Sequence, residues 1–259
     1  VNVVMEQVFV ISSGPRTEDA EYAWRESEIY AIDVETGAVR QLTTRHGPDN
    51  NPTPSPDGRL IAYTGYDWNT DTWTDSKLYV MNADGSGPRV LADIDRTPNN
   101  LIWAPDGSGV YFTAQSEGSQ NLWFAPLRGD VRRVTDGEHM LSVAEITRDG
   151  LVLGTRSTFH EPGDIVTFSL RSPQAIRKIT DVNGDVLAGK RLGAVEEIWY
   201  TSVDDFRVQG WIIRPPDFDP TVVSARIKNP TLAVAPYLSA DLQLADGLRL
   251  LPGLRLNIW

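Results

Sequence analysis

The chain has 259 residues, which suffices for one large domain or for one domain with part of another. Its formal net charge of −11 and its pI near 4.7 exclude nucleic acids and anionic membranes as natural partners, because both would repel it, and no stretch reaches the roughly 18 apolar residues of a membrane span. The lack of cysteine excludes disulfides, thiolate catalysis and cysteine-based zinc sites; it is compatible with cytoplasm and periplasm alike, and of the two we favour the cytoplasm.

The first repeated feature along the chain is an Asp-Gly turn followed by an apolar run. It occurs at Asp57-Gly58 before Arg59–Thr64, at Asp106-Gly107 before Gly109–Thr113, and at Asp149-Gly150 before Leu151–Thr155. Asp-Gly between apolar runs predicts a hairpin, because glycine takes the positive φ that a tight turn needs. The repetition predicts a repeated β unit.

A second pair of predicted strands follows each turn. One apolar position in it is occupied by Ile29, Leu78, Leu122 and Ile165, which lie 49, 44 and 43 residues apart. Four strands at this period are typical of propeller blades. We therefore predict an all-β fold of about four β-propeller blades, each of four antiparallel strands, with these apolar positions buried between blades. Four blades are at the lower limit for closure, so we predict an incomplete propeller whose terminal blade faces self-associate.

The repeat predicts the domain boundaries as well. Residues 1–181 are assigned to the blades, and residues 182–194, rich in glycine and charge, to a linker. Residues 195–220 alternate as two strands around Val203–Asp205 and are predicted to form a C-terminal β-hairpin. Residues 221–259 are rich in leucine with spaced arginines, and we interpret them as a truncated or non-native tail.

Two enlarged loops between the second and third strands of a blade, residues 13–27 and 65–76, combine acidic and aromatic side chains. In up-and-down order these loops and the crossings between blades emerge on one face, where we expect binding to concentrate. The candidate binding residues are Tyr22, Trp24, Tyr66, Trp68 and Trp73.

Neither a metal nor a cofactor is predicted. His46 and His139 occupy matching crossings, but no further ligands stand at a defined spacing from them. The stretch from Asp67 to Asp71 begins like a calcium loop, yet Leu78 stands where such a loop needs a bidentate carboxylate. We interpret the histidines, His160 included, as polar loop residues.

An arginine recurs on the outer strand of every blade. The four residues are Arg40, Arg89, Arg132 and Arg177. Because long charged side chains protect exposed strand edges from unwanted pairing, we interpret this column as edge protection and not as a binding patch.

Asp-Gly blades followed by the hairpin of Glu197–Ser202 and Val208–Pro215 resemble the prolyl oligopeptidase family of serine peptidases, in particular its acylaminoacyl-peptidase and dipeptidyl-peptidase-like branch. The resemblance covers about residues 8–220. It implies a propeller that gates the access of peptides or acyl-peptides to a Ser-Asp-His site, in a hydrolase domain that begins with this hairpin. Because TolB-type propellers share the blade motif, the alternative is a module that binds a protein or peptide without catalysis.

The catalytic residues that the resemblance implies are missing from the chain. The family's Gly-x-Ser-x-Gly elbow requires glycine two positions before and two positions after the serine, and no serine here meets that requirement. The segment Lys228–Pro236 begins like the family's oxyanion-hole segment but continues without its His-Gly-Gly-Pro, and all three histidines precede the hairpin. We therefore predict no catalytic residue and no peptide hydrolysis by this chain alone. Substrate specificity and exo- or endopeptidase action stay open.

Overall fold

The computed structural model describes residues 8–14, 23 and 25–219 with their side chains, and only the backbone of the short strands at 3–5, 237–239, 242–245, 248–250 and 253–255. Its regular structure is almost entirely antiparallel β-strand, which confirms the predicted fold class. By internal contacts the chain divides into two units, Val1–Arg214 and Pro215–Trp259. No helix in the described part has the length and apolar composition needed to cross a membrane.

The blades are four-stranded meanders whose strands pair in chain order. Blade one contains β1 (Val3–Met5), β2 (Val8–Ser13), β3 (Glu28–Asp33) and β4 (Val39–Gln41). Blade two contains β5 (Asp49–Pro54), β6 (Leu60–Gly65), β7 (Lys77–Asn82) and β8 (Arg89–Ala92). Blade three contains β9 (Asn99–Trp103), β10 (Gly109–Ser116), β11 (Ser119–Pro126) and β12 (Arg132–Arg133). Blade four contains β13 (Met140–Ile146), β14 (Leu151–Ser157), β15 (Asp164–Ser169) and β16 (Ser172–Lys178).

The first strands of successive blades lie beside one another: β1 contacts β5, β5 contacts β9 and β9 contacts β13. Blades three and four are also joined by one parallel pairing, of Gln120 with Met140. The first strands therefore form the inner side of the blade series, as in a propeller.

The predicted Asp-Gly turns are confirmed. Gly58, Gly107 and Gly150 have φ values of 69°, 70° and 81°, a region that only glycine adopts without strain. Two of the turns are also held by a hydroxyl three positions before the glycine. Ser55 accepts a hydrogen bond from the Leu60 N–H, and Thr147 accepts one from the Leu151 N–H, both at 3.0 Å. Both hydroxyls also donate to the turn aspartate.

The core lies between neighbouring blades. Ile29, Leu78 and Leu122 are completely buried, as predicted, but Ile165 is 42% exposed, so that part of the prediction is wrong. Ile165 does occupy the repeat position, because its N–H donates to a threonine hydroxyl as do those of Ile29 and Leu122. Its exposure has a simple cause: no further blade among the described residues covers the outer face of blade four, which also exposes Leu151 and Leu153.

That threonine hydroxyl is a feature of the repeat that the sequence did not reveal. Thr43, Thr135 and Thr180 follow the outer strands, and each hydroxyl accepts the N–H at the repeat position at 2.9 Å. Each also donates to a polar side chain at the start of the third strand. Blade two has Ala92 instead, and an ion pair of Lys77 with Asp93 at 2.8 Å joins the same strand ends. We call the threonine arrangement the threonine clasp.

The arginine column has a role beyond edge protection. Arg40 donates to the carbonyl of Asp84 at 2.7 Å, and Arg89 donates to that of Leu127 at 3.1 Å. In both pairs the acceptor belongs to the next blade, so these arginines link neighbouring blades at the outer edge. In blade four, the side chain of Arg177 makes no hydrogen bond within the described residues.

After the blades come a single-turn helix α1 (Gly184–Leu187), inside the predicted linker, and the predicted hairpin. The hairpin pairs β17 (Ala194–Thr201) with β18 (Arg207–Arg214) around a 3-10 turn at Val203–Asp205. In the second unit β19 (Tyr237–Ser239) pairs with β22 (Gly253–Arg255), and β20 (Leu242–Ala245) with β21 (Leu248–Leu250). The prediction of a tail at 221–259 otherwise lies outside the described residues.

Candidate functional site

The loops between second and third strands and the crossings between blades lie on one side of the first unit, which we call the loop face. The two larger cavities that the described residues form on it are each lined by the second-to-third loops of two neighbouring blades and by the crossing that joins those blades. The pattern follows from antiparallel order, in which these connections all leave the blades in the same direction.

The first cavity, of about 690 Å³, lies between blades one and two. Its central feature is the stack of Trp68 on His46, whose ring centroids are 5.1 Å apart with an interplanar angle of 19°. His46 Nδ1 lies 2.7 Å from a carboxylate oxygen of Glu26, which fixes the plane of the imidazole. Trp68 is still 43% exposed, so the stack presents an accessible aromatic shelf with a carboxylate beside it.

Backbone contacts hold this shelf in place. The Trp68 N–H donates to the His46 carbonyl at 2.9 Å, and the Gly47 N–H donates to Glu26 at 3.1 Å. Gly47 has φ 123°, and a side chain there would collide with the backbone of Tyr66 and Trp68. Arg25 donates to the Asp71 carbonyl at 2.8 Å and so closes the far end of the loop. The shelf is therefore preorganised.

The second cavity, of about 750 Å³, lies between blades two, three and four. Trp73, 76% exposed, stands at its rim. Thr97 forms part of the wall, where its hydroxyl donates to Asp75 at 2.9 Å and accepts the Ser76 N–H at 3.2 Å. Glu117 and Gly118, from the tight turn between β10 and β11, form the wall toward the hairpin.

The hairpin packs on this same turn. The Trp211 indole lies directly over Gly118, which has φ 66°, and the Gln209 amide donates to the Glu117 carbonyl at 3.0 Å. Phe159, from the second-to-third loop of blade four, meets Trp211 with ring centroids 6.2 Å apart. The hairpin is thus attached to the loop face next to the second cavity.

The predicted binding residues fall in different places. Trp68 lines the first cavity, Trp73 lines the second, and Tyr66 is half-buried with its carbonyl against Gly47. The structure therefore does not bring Trp68 and Trp73 into one cavity. Tyr22 and Trp24 lie outside the described residues.

Sequence reasoning placed His46 on the correct face but did not find its role. Two sequence features indicate this role. His46 lies in the crossing that leads to the blade with the aromatic loop 65–76, and the acidic residue Glu26 stands just before the third strand of blade one. His139, its counterpart, differs: it is buried, and burial together with the Arg156 and Arg133 charges lowers its pKa. Within the described residues no three His, Cys, Asp or Glu side chains cluster as metal ligands would.

No family model matches the chain. Among curated proteins, dipeptidyl-peptidase 5 of Porphyromonas gingivalis is 29% identical over 196 residues, which are 74% of this chain and 28% of that protein. The probable dipeptidyl-peptidase 5 of Aspergillus niger is 30% identical over 182 residues, which are 67% of this chain and 24% of that protein. A TolB homologue of Chlorobaculum tepidum is 32% identical over 111 residues, 42% of this chain and 24% of that protein. The chain thus spans about a quarter of the length of these relatives.

Solved structures show the same fold. An acylaminoacyl peptidase of Pyrococcus horikoshii superposes with a TM-score of 0.65 at 23% identity, over 83% of this chain and 32% of that one. The β-propeller domain of the trilobed protease of Pyrococcus furiosus superposes with a TM-score of 0.54 at 22% identity, over 73% of this chain and 54% of that one. TolB of Acinetobacter baumannii superposes with a TM-score of 0.52 at 18% identity, over 68% of this chain and 41% of that one. These likenesses identify the repeated meanders as propeller blades.

Proposed function

Because the chain carries the propeller region of a peptidase of the prolyl oligopeptidase family, we propose that its loop face controls the access of peptides to the hydrolase domain of the intact enzyme. In this proposal residues 1–181 form the propeller part, 182–194 a linker, and 195–220 the start of the hydrolase domain. The observation that supports it is the shared turn at Glu117 and Gly118, which lines the second cavity and also carries the hairpin. A peptide at this cavity lies next to the attachment point of the hydrolase domain.

The chemistry of the loop face indicates which peptides it favours. The shelf of Trp68 on His46 suits an apolar or aromatic side chain, which gains by leaving water. Beside the second cavity, a further cavity of about 240 Å³ is lined by Glu117, Asp136, Glu138 and Glu197 with Arg133. Since carboxylates dominate there and the chain carries a charge of −11, the loop face favours neutral or basic peptides over acidic ones.

The test is peptide binding to the full 259-residue chain, measured by calorimetry with neutral, basic and acidic decapeptides that each carry one phenylalanine. Trp68→Ala and Trp73→Ala are expected to weaken binding by about tenfold, since exposed tryptophans at binding surfaces often dominate affinity. The matched control is Val34→Ala, an exposed apolar residue between β3 and β4, on the side away from the loop face. Equal weakening by the control, or no binding of any peptide, would refute the proposal.

The second candidate is a TolB-like module that binds a protein or peptide and has no catalytic partner. It is favoured by the likeness of the blades to TolB and to the C. tepidum homologue. Sequencing the gene beyond the codon for Pro220 separates the two: a Gly-x-Ser-x-Gly elbow supports the peptidase, and its absence supports the binding module. A serine-directed fluorophosphonate should leave the present chain unlabelled in either case, and labelling would contradict the absence of a nucleophile.

We also propose that the chain self-associates through the outer face of blade four. Ile165, Leu151 and Leu153 on this face correspond to core positions of the other blades, and all three are exposed. A contiguous apolar sheet face of this kind favours association. Sedimentation should show dimers or larger species whose fraction rises with concentration, and Leu151→Glu with Leu153→Glu should abolish them. A monomer at all concentrations would contradict this proposal.

A further inference from the structure

A group of buried ionisable side chains lies at the joint between blades one and two. Glu28 begins β3, Asp49 begins β5, and the Thr43 hydroxyl lies between their carboxyl groups; all three residues are buried. Thr43 Oγ1 is 2.5 Å from Glu28 Oε2, and it also accepts the Ile29 N–H at 2.9 Å. This is the threonine clasp of blade one, with a carboxyl group on either side.

A single hydroxyl proton cannot serve both carboxylates. Asp49 Oδ1 is bonded to Arg45, while Asp49 Oδ2 is buried without a hydrogen-bond partner among the described residues. If Glu28 is ionised, Thr43 donates to Glu28 and has nothing left to donate to Asp49. If Glu28 is protonated, its own O–H donates to the second lone pair of Thr43, whose proton is then available to Asp49. One added proton therefore completes the network.

We propose that Glu28 is a proton-dependent latch between blades one and two, which closes when its carboxyl group is protonated and weakens when that group ionises. The other two threonine clasps show why protonation stabilises only this one of the three described clasps. In blade three the partner is the neutral Asn121, which accepts from Thr135 at 2.9 Å and donates to the Gly137 carbonyl at 3.1 Å. A neutral side chain thus satisfies the clasp with no proton to gain or lose.

In blade four the equivalent residue is Asp164, whose negative charge is compensated by neighbouring hydrogen-bond donors and a lysine. Asp164 accepts from Thr180 at 2.7 Å and from the Val182 N–H at 3.0 Å, and Lys178 lies 3.3 Å from its other oxygen. These donors hold the pKa of Asp164 below its ordinary value, the Val182 N–H having the largest effect. Asp164 is therefore expected to respond to pH in the opposite sense to Glu28.

The charges around Glu28 agree with the geometry. Burial raises the pKa of Glu28 to about 6; the Thr43 hydroxyl and the Arg45 charge oppose this rise, and the Asp49 and Glu26 carboxylates add to it. Tyr63 of β6 also faces the cluster and is kept neutral because burial raises its pKa, while Tyr79 of β7 and Asp67 contact Arg45. Since the folded chain holds this proton more tightly than the unfolded chain, its stabilising effect is complete below about pH 4.5 and is lost as the pH rises through 6.

The experiment is equilibrium urea unfolding of the full chain from pH 4.5 to 8, comparing the wild type with Glu28→Gln. Glutamine mimics the protonated acid, so the folding constant of the wild type relative to that of Glu28→Gln should fall by about 15-fold between pH 4.5 and 7.5. Asp164→Asn is the matched control: because the pKa of Asp164 lies below its ordinary value of 3.8, the stabilising effect of its charge is complete over this pH range, and the ratio of wild type to this variant should stay constant. A ratio of wild type to Glu28→Gln that stays constant, or that rises with pH, overturns the proposal.

A second measurement covers the case in which Glu28→Gln does not fold. The side-chain carboxyl carbon of Glu28 can be followed by ¹³C NMR in the wild-type chain. A titration midpoint close to 6 supports the latch. A midpoint at or below 4.5, the ordinary value for glutamate, overturns it.

Discussion

Replacing Gly118 by alanine is expected to detach the hairpin from the blades. Gly118 has φ 66°, and an added Cβ would collide with the edge of the Trp211 indole, 2.1 Å from Cζ2 and 2.2 Å from Cη2. The variant therefore combines backbone strain with loss of the Trp211 contact. Gly107→Ala is a matched control, because Gly107 has nearly the same φ, 70°, and no atom within 4 Å of its would-be Cβ.

The two contributions can be estimated separately. A left-handed conformation costs alanine about 1 kcal/mol, and both variants share this cost. Trp211 is 37% exposed, so its side chain buries about 130 Å², equivalent to ~3 kcal/mol at ~25 cal/mol per Å². We expect about half of this, ~1.5 kcal/mol, to be lost, because Phe159 can keep its contact with the displaced ring. The free energy of local opening of the hairpin should therefore fall in Gly118→Ala and stay unchanged in Gly107→Ala.

Hydrogen exchange followed by mass spectrometry measures that local free energy directly. Peptides from β17 and β18 should exchange about tenfold faster in Gly118→Ala than in the wild type, whereas in Gly107→Ala only blade three should change. Equal hairpin protection in the two variants would show that the hairpin does not depend on this contact, and the attachment of the hairpin to the loop face would then have to be abandoned.

Two further predictions take their controls from the equivalent positions in blade four. Thr135→Val leaves a buried N–H and a buried amide oxygen unpaired and should destabilise the chain by about 2 kcal/mol in urea unfolding. Thr180→Val, at the half-buried clasp of blade four, should cost about half as much, and equal costs would contradict the role of burial. Arg89→Met removes a link to the next blade and should cost about 0.5 kcal/mol, whereas Arg177→Met should change the free energy of unfolding by less than the error of the measurement. A loss in Arg177→Met as large as that in Arg89→Met would mean that the arginines act only through their charge.

The blade architecture could be predicted from the sequence because its signals are local. Asp57-Gly58 defines a turn by the conformational freedom of one glycine, and the continuous, mostly apolar run Leu60–Gly65 defines the strand beside it. The period then places Ile29, Leu78 and Leu122 at one position. Whether such a position is buried depends on the next blade, and the exposure of Ile165 shows that the repeat alone does not supply this information.

The candidate site could be predicted only as a face. Chain order determines which loops emerge together, so the sequence predicts the side of the blades on which the loop of Trp68 and Trp73 lies. The partition of this side into separate cavities depends on contacts between residues distant in sequence, such as the stack of His46 on Trp68 and the pairing of Glu26 with His46. No local pattern encodes these contacts.

The threonine clasps show why charge in a repeat has to be derived from the structure. Glu28, Asn121 and Asp164 occupy one position and make the same bond to a hydroxyl, so the repeat conserves a hydrogen-bond acceptor and not a charge. The charge that each position tolerates depends on the neighbouring groups: a second carboxyl group at Asp49 at the start of β5, a carbonyl at Gly137 in the crossing, or an ammonium at Lys178 at the end of β16. Because Glu26 lines the first cavity and its carboxylate also adds to the rise in the pKa of Glu28, we expect substitutions of Glu26 to alter both binding at this cavity and the protonation of the joint between blades one and two.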